Sequence, residues 1–273
     1  MDAANVALSS GQCGMALSLL RPIYDSESTD NGIRLLTASA YGCVATVNFA
    51  DILTDFVSFP GSFAGSGLFE FLAQEFPSTL NPDDKILEAA SLGTDALLAM
   101  VYPGTVFVPS HTVNSGTNNP GSLFITDRVP DSNSYLMFIA MAMMGAIENR
   151  YLSPLPNYHK GVPIPWMTPA TSVGTGCAYS SALLNFYDSL QSVVNSAPPS
   201  VQSRYAVISG FLSTGLNTAC NIGCLTNGCT MGCSTCPTTL RNRNSCTGAT
   251  TDVNSCASAG LSTFVNATWA GPP

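Results

Sequence analysis

From Ala4 to Phe56 apolar residues recur with three- and four-residue spacing, the signature of amphipathic helices. Val6 and Leu8 form one such group. Met15, Leu17, Leu19, Leu20 and Ile23 form the next, and Ser9-Ser10-Gly11-Gln12 separates the two. The pattern predicts two short helices joined by a Gly-containing turn. Pro22 lies inside the second and should bend or shorten it, because its ring removes one backbone hydrogen bond. The polar run Asp25 to Gly32 reads as a loop. A third helix then starts near Asn31 and carries Ile33, Leu35, Leu36, Ala38, Ala40 and Tyr41.

Further helices follow with less regular connections. Leu68 to Phe76 predicts one short helix among glycines and prolines. Lys85 to Val101, capped by Asp83 or Asp84, predicts a longer one. The polar stretch 104–133 is long for a plain connection, which points to an interaction loop. Within it Val106-Phe107-Val108 and Leu123-Phe124-Ile125 read as a small hairpin. A central helix from Ser134 to Tyr151, capped by Asp131 or Ser132, is apolar on nearly every face and belongs in the middle of the core. The proline-rich stretch from Leu152 to Pro169 is extended. Two more helices, Cys177 to Asn195 and Ser203 to about Cys224, flank Ala197-Pro198-Pro199.

Composition narrows the setting. Of 273 residues 45% are hydrophobic, which excludes disorder, and only 10% are charged, well below the roughly 25% of ordinary soluble domains. The surface must therefore be largely Ser, Thr, Asn and Gly, or be covered by partners. The net charge is −8, and Lys85 and Lys160 are the only lysines. That balance argues against nucleic acid and anionic membrane surfaces, both of which select basic patches. The longest apolar run, Tyr135 to Ile147, is too short for the roughly twenty residues of a membrane span. Ten cysteines, an even number, argue for an oxidising compartment. No basic and apolar leader stands before Ala4, so the expectation is an exported chain with its signal peptide removed, in the periplasm, outer-membrane-associated or extracellular, with a lipid anchor at the removed end compatible with this.

In the first fifty or so residues the pattern resembles a tetratricopeptide repeat. Gly11 with Ala16 and Leu17 looks like that family's turn glycine and the small residue of its second helix. Ala38, Ala40 and Tyr41 look like the small-x-small-Tyr run opening a following unit. The large aromatic that the family places before the glycine is missing, and no 34-residue period continues downstream. Under this resemblance Cys13 starts the second helix and Cys43 ends the third, and antiparallel neighbours set them side by side. The resemblance thus implies a Cys13–Cys43 disulfide; the alternative is two small buried hydrophobes.

The remaining cysteines are Cys177, Cys220, Cys224, Cys229, Cys233, Cys236, Cys246 and Cys256. Eight can close among themselves in 105 ways. A metal centre is the rival reading, but one C-x-x-C (Cys233 and Cys236) with no neighbouring histidine matches neither a zinc ribbon nor a ferredoxin run. His111 and His159 fall in loops, with no nucleophile turn to serve. Asp25, Glu27, Asp30 and Asn31 offer oxygen ligands but miss the spacing of a calcium loop. No metal, cofactor or catalytic residue is therefore assigned. Five rings, Phe59, Phe63, Phe69, Phe71 and Phe76, either lid the first hairpins or form a docking patch for a partner. The docking patch is the site assigned from sequence, together with the loop 104–133.

These readings converge on an all-α chain of irregular, TPR-like or solenoid helical hairpins at 1–219, with long loops at 57–82, 104–133 and 152–172. A cysteine-rich segment at 220–273 packs on it. The expected function is a non-catalytic protein-binding or assembly component of a bacterial envelope or exterior, docking protein partners, copies of itself included, on helix faces. The alternative is a helical lipoprotein binding a small apolar ligand for a transporter, by analogy with those associated with TRAP-type systems.

Overall fold

The structure is a computed structural model. It describes residues 1–26, 30–45, 47–60, 67–76, 93, 97, 106–107, 113–114, 130–151, 182–183, 185–187, 189–190, 198–199, 201–208 and 210–212. The named elements are α1 (Asp2–Ser9), α2 (Cys13–Ser26), α3 (Asn31–Val44), α4 (Phe49–Ser58), α5 (Gly67–Glu75), β1 (Val106–Phe107), β2 (Val113–Asn114) and α6 (Pro130–Tyr151). Helix dominates the described residues, as the all-α reading expects. The described part of 182–190 is helical, and so are residues 201–208 and 210–212. The cysteine-rich segment 220–273 and the loop 152–172 lie outside the described residues.

The predicted turn between the first two helices has a definite geometry. Gly11 takes φ +69°, its N–H reaches Leu8 O at 3.0 Å, and Gln12 N–H reaches Ala7 O at 2.8 Å. This is a Schellman termination, which needs a left-handed residue that glycine supplies without a Cβ clash. The α2 helix does not stop at Pro22, as the sequence suggested it could, but runs on to Ser26. Pro22 is exposed, so water can take over the hydrogen bonding its ring denies the backbone. Ser26 Oγ turns back onto Pro22 O at 3.1 Å and Ile23 O at 3.0 Å. The Asp25 to Gly32 loop is correspondingly narrower than predicted, because α2 includes Asp25 and Ser26 while α3 includes Asn31 and Gly32. Asp30 caps α3, its Oδ1 accepting from Ile33 N–H at 2.9 Å.

Helices α1, α2 and α3 pack consecutively. Their shared core is small: Ala4, Ala7, Ala16, Leu20 and Ala40, with Leu8, Leu17 and Leu36 partly buried against it. A buried methyl is worth about 0.8 kcal/mol and a buried Leu or Phe roughly 1.5–3 kcal/mol. Alanines bring helices close but bury little apolar area. The Cys13–Cys43 disulfide spans the same layer, with Cα atoms 5.5 Å apart and a sequence separation of 30. Closing a loop of that length stabilises by about 3–4 kcal/mol on the chain-entropy account.

On its other side α3 meets α6. Ile139 of α6 lies against Gly42 of α3, and against Gly93, whose other neighbour is Tyr41 of α3. Leu136, Met137 and the run Ile139 to Ala146 are buried, so α6 is the central helix the sequence predicts. It starts at Pro130, four positions before the predicted start, and takes Asp131 and Ser132 into its first turn instead of using either as cap. Proline suits this position, where no intrahelical N–H bond is lost. Helix α5 crosses α6 at Gly145, where a Cβ would stand 2.6 Å from Leu72 O and from Phe76 Cδ2. Only glycine permits that approach.

Val106 pairs with Asn114 and Phe107 with Val113, antiparallel, in a short hairpin. The partner strand predicted at 123–125 lies outside the described residues.

Candidate functional site

The sequence offered three kinds of site residue: the cysteines, the phenylalanines and the loop ligands. Of the cysteines, Cys13 and Cys43 are joined as expected. Cys177 and the seven tail cysteines, Cys220 to Cys256, lie outside the described residues, as do His111 and His159.

The phenylalanine assignment needs correction. Phe59, Phe69, Phe71 and Phe76 are buried, and Phe63 lies outside the described residues. The rings pack on one another: Phe71 meets Phe56 edge-on at 5.7 Å between centroids and Phe59 at 5.5 Å, and Tyr205 meets Phe56 at 5.0 Å. Four of the five assigned rings are interior material, not docking surface. The physical reason is α5 itself: Leu68, Phe69, Phe71 and Leu72 are all buried, so this nine-residue helix sits in the core instead of lying over it.

Arg204 completes this corner. Its guanidinium donates to Phe56 O at 3.1 Å and Phe59 O at 2.9 Å, carbonyls that the end of α4 leaves without helical donors. Helical residues 201–208 thereby cap α4 from outside it. That helix begins just after Pro198, whose carbonyl accepts from Val201 at 2.8 Å and Gln202 at 3.0 Å, earlier than the predicted Ser203.

Nearby is an acidic corner that sequence reasoning missed. Burial, the charge of Asp55, a hydrogen bond to Asp55 and the charge of Asp51 push the Glu75 carboxyl up to about 7. Asn48 holds Asp51 by a 2.6 Å bond from Nδ2 to Oδ2 while its Oδ1 caps α4 at Ala50 N–H. Asp55 and Glu75 lie twenty positions apart on different helices, so no local spacing signalled the pair. Of the proposed cation ligands, Asp30 is committed to the cap of α3 and Asn31 Oδ1 accepts from Arg34 at 3.0 Å. Among the described residues no group of three or more His, Cys, Asp or Glu side chains is arranged to hold a metal ion. No described helix is long and apolar enough to cross a membrane.

Among the described residues the exposed large apolar side chains are Met1, Val6, Met15 and Leu19 in the N-terminal layer, Leu53 and Val57 on α4, and Val207. Val6 is 64% exposed, Met15 55% and Leu19 37%, while Ala4, Ala7, Ala16 and Leu20 of the same helices fill the core. Met15 and Leu19 stand one turn apart on α2, so their side chains share a face. No charged residue occurs between Asp2 and Arg21. Exposed apolar side chains that include a methionine, with few charges near them, have the composition of an interface core. The sequence showed these residues as ordinary core candidates. Their periodicity is too broad for one buried stripe, and only packing tells which flank is covered. Comparison with protein-family models, with curated proteins and with solved structures returned no match to this chain.

Proposed function

We propose that this chain is an exported, non-catalytic docking or assembly component whose helical hairpins present an apolar face to another protein. The observation that carries this reading is the exposure of the apolar side chains Val6, Met15 and Leu19 on helices with no charged residue between Asp2 and Arg21. The occupant argued for is the same face of a second copy. An apolar surface is complementary to itself about a two-fold axis, and no charged residue lies between Asp2 and Arg21 to oppose the pairing. The disulfide supports the exported setting, where such bonds persist. The hairpins follow one another as they do in repeat proteins, and a solenoid continuing beyond α3 is part of the proposal.

Light scattering behind size exclusion, across a range of protein concentrations, tests it. The chain is expected to shift toward dimer or larger species as concentration rises. The double variant Met15→Asp, Leu19→Asp is expected to remain monomeric with unchanged helix content. A wild-type chain that stays monomeric throughout would remove the self-docking reading.

A further inference from the structure

The Cys13–Cys43 bond occupies a particular place in the N-terminal layer. Cys13 is the first residue of α2 and Cys43 the next-to-last of α3. The loop joining these helices is at their other end, so the bond closes the open end of the hairpin, one residue beyond the Gly11-Gln12 turn from which α1 departs. The rest of this layer is built mainly of small side chains. Its core is four alanines and one fully buried leucine, with Leu8, Leu17 and Leu36 partly buried against them. Helix α1 has eight residues and α2 has fourteen, the latter containing the poor helix formers Gly14 and Pro22; helices of this length are marginal without tertiary support. Both cysteines are partly exposed, so a thiol-exchange partner can reach them.

We infer that formation of the Cys13–Cys43 bond is the step that licenses the docking face, by fixing the α1–α2 hairpin onto α3 once the chain meets a dithiol-oxidising protein disulfide. This rests on the reading of the α1–α2 face as the docking surface. The step balances as exchange: two S–H bonds of Cys13 and Cys43 break, one S–S bond forms, and the oxidant's disulfide is reduced to two thiols that carry away the two electrons and two protons. Before it, Val6, Met15 and Leu19 belong to a loosely held segment with no fixed mutual geometry; after it, they form one rigid surface. The chain would thus stay unassembled until it reaches an oxidising compartment.

The test compares the oxidised full chain with Cys13→Ser, Cys43→Ser, since a reductant would also act on the other eight cysteines. Amide hydrogen exchange is read separately for residues 2–26 and for 136–146, beside light scattering. The expected result is exchange at least about tenfold faster in 2–26, unchanged exchange in 136–146, and loss of association. Unchanged protection of 2–26 in the double serine variant would overturn the inference, since the bond would then be a redundant staple. Loss of protection in 136–146 as well would also overturn it, because the bond would then support the whole fold and not one face. The variant Met15→Asp, Leu19→Asp keeps the bond. If it and the serine variant both still associate, the docking reading fails, whatever the exchange shows. If it alone abolishes association while the loosened serine variant still associates, docking stands and the licensing step falls.

Discussion

Helix α3 is packed on two sides, and the two sides are built differently. Toward α1 and α2 it offers Leu36, Ala40 and Cys43 to a layer of alanines. Toward α6 it offers Tyr41 and Gly42 to Ile139, within a core of Leu136, Met141, Met143 and Met144 and, across α5, Phe69 and Leu72. The first side is close but poor in apolar area, and a covalent bond spans it. The second is rich in rings and methionines, and among the described residues no disulfide crosses it. Large side chains stabilise through desolvated area. Small ones allow helices to approach but leave the association dependent on another constraint.

That contrast can be broken by substitution. On the α4–α6 side Phe69 is fully buried, and Phe69→Ala is expected to cost about 3–5 kcal/mol through lost transfer energy and the cavity left behind. The midpoint of urea unfolding, followed by circular dichroism, would report it. A loss below that of any alanine-layer variant would reverse the assignment of where stability resides. On the α1–α3 side Ala40→Gly can remove only one methyl and some helix propensity, for an expected cost of about 1–2 kcal/mol. Destabilisation by Ala40→Gly as large as by Phe69→Ala would mean that the alanine layer carries more than its area allows.

The smallest expected effect concerns Glu75, where α5 meets the acidic side of α4. Its folded value of about 7 lies above the ordinary 4.5. The folded state therefore holds a proton that the unfolded chain releases. The stability this contributes is fully present below about 4.5 and is lost as pH rises through about 7. Glu75 is partly exposed, so solvent screening keeps the effect modest. Glu75→Gln should flatten the fall in melting temperature between pH 5 and pH 8 that the wild type shows. An undiminished fall in that variant would place the titration elsewhere.

Particular residues show where legibility ended. The turn at Gly11, the start of α3 after Asp30 and the buried character of α6 were readable because each is set by local chemistry: a left-handed residue, a capping carboxylate, an apolar surface on every side. The start of α6 was misread because Asp131 and Ser132 are good caps in isolation, yet Pro130 takes the first helical position. The phenylalanines were legible as aromatic mass but not as to direction. A ring packs equally well against its own chain or against a partner until the neighbours are known.

By itself the sequence determined the helical class, the N-terminal three-helix order, the net negative charge and the cysteine content that makes disulfides available. These follow from periodicity, capping and charge, which act over a few residues or over the whole composition. Tertiary structure alone decided that Phe59, Phe69, Phe71 and Phe76 face inward while Val6, Met15 and Leu19 face outward. It alone brought Glu75 to Asp55 and Arg204 to the end of α4. Each of these depends on contacts between segments far apart in the chain. Burial is a property of what covers a side chain, and a residue's own hydrophobicity does not say which neighbour arrives.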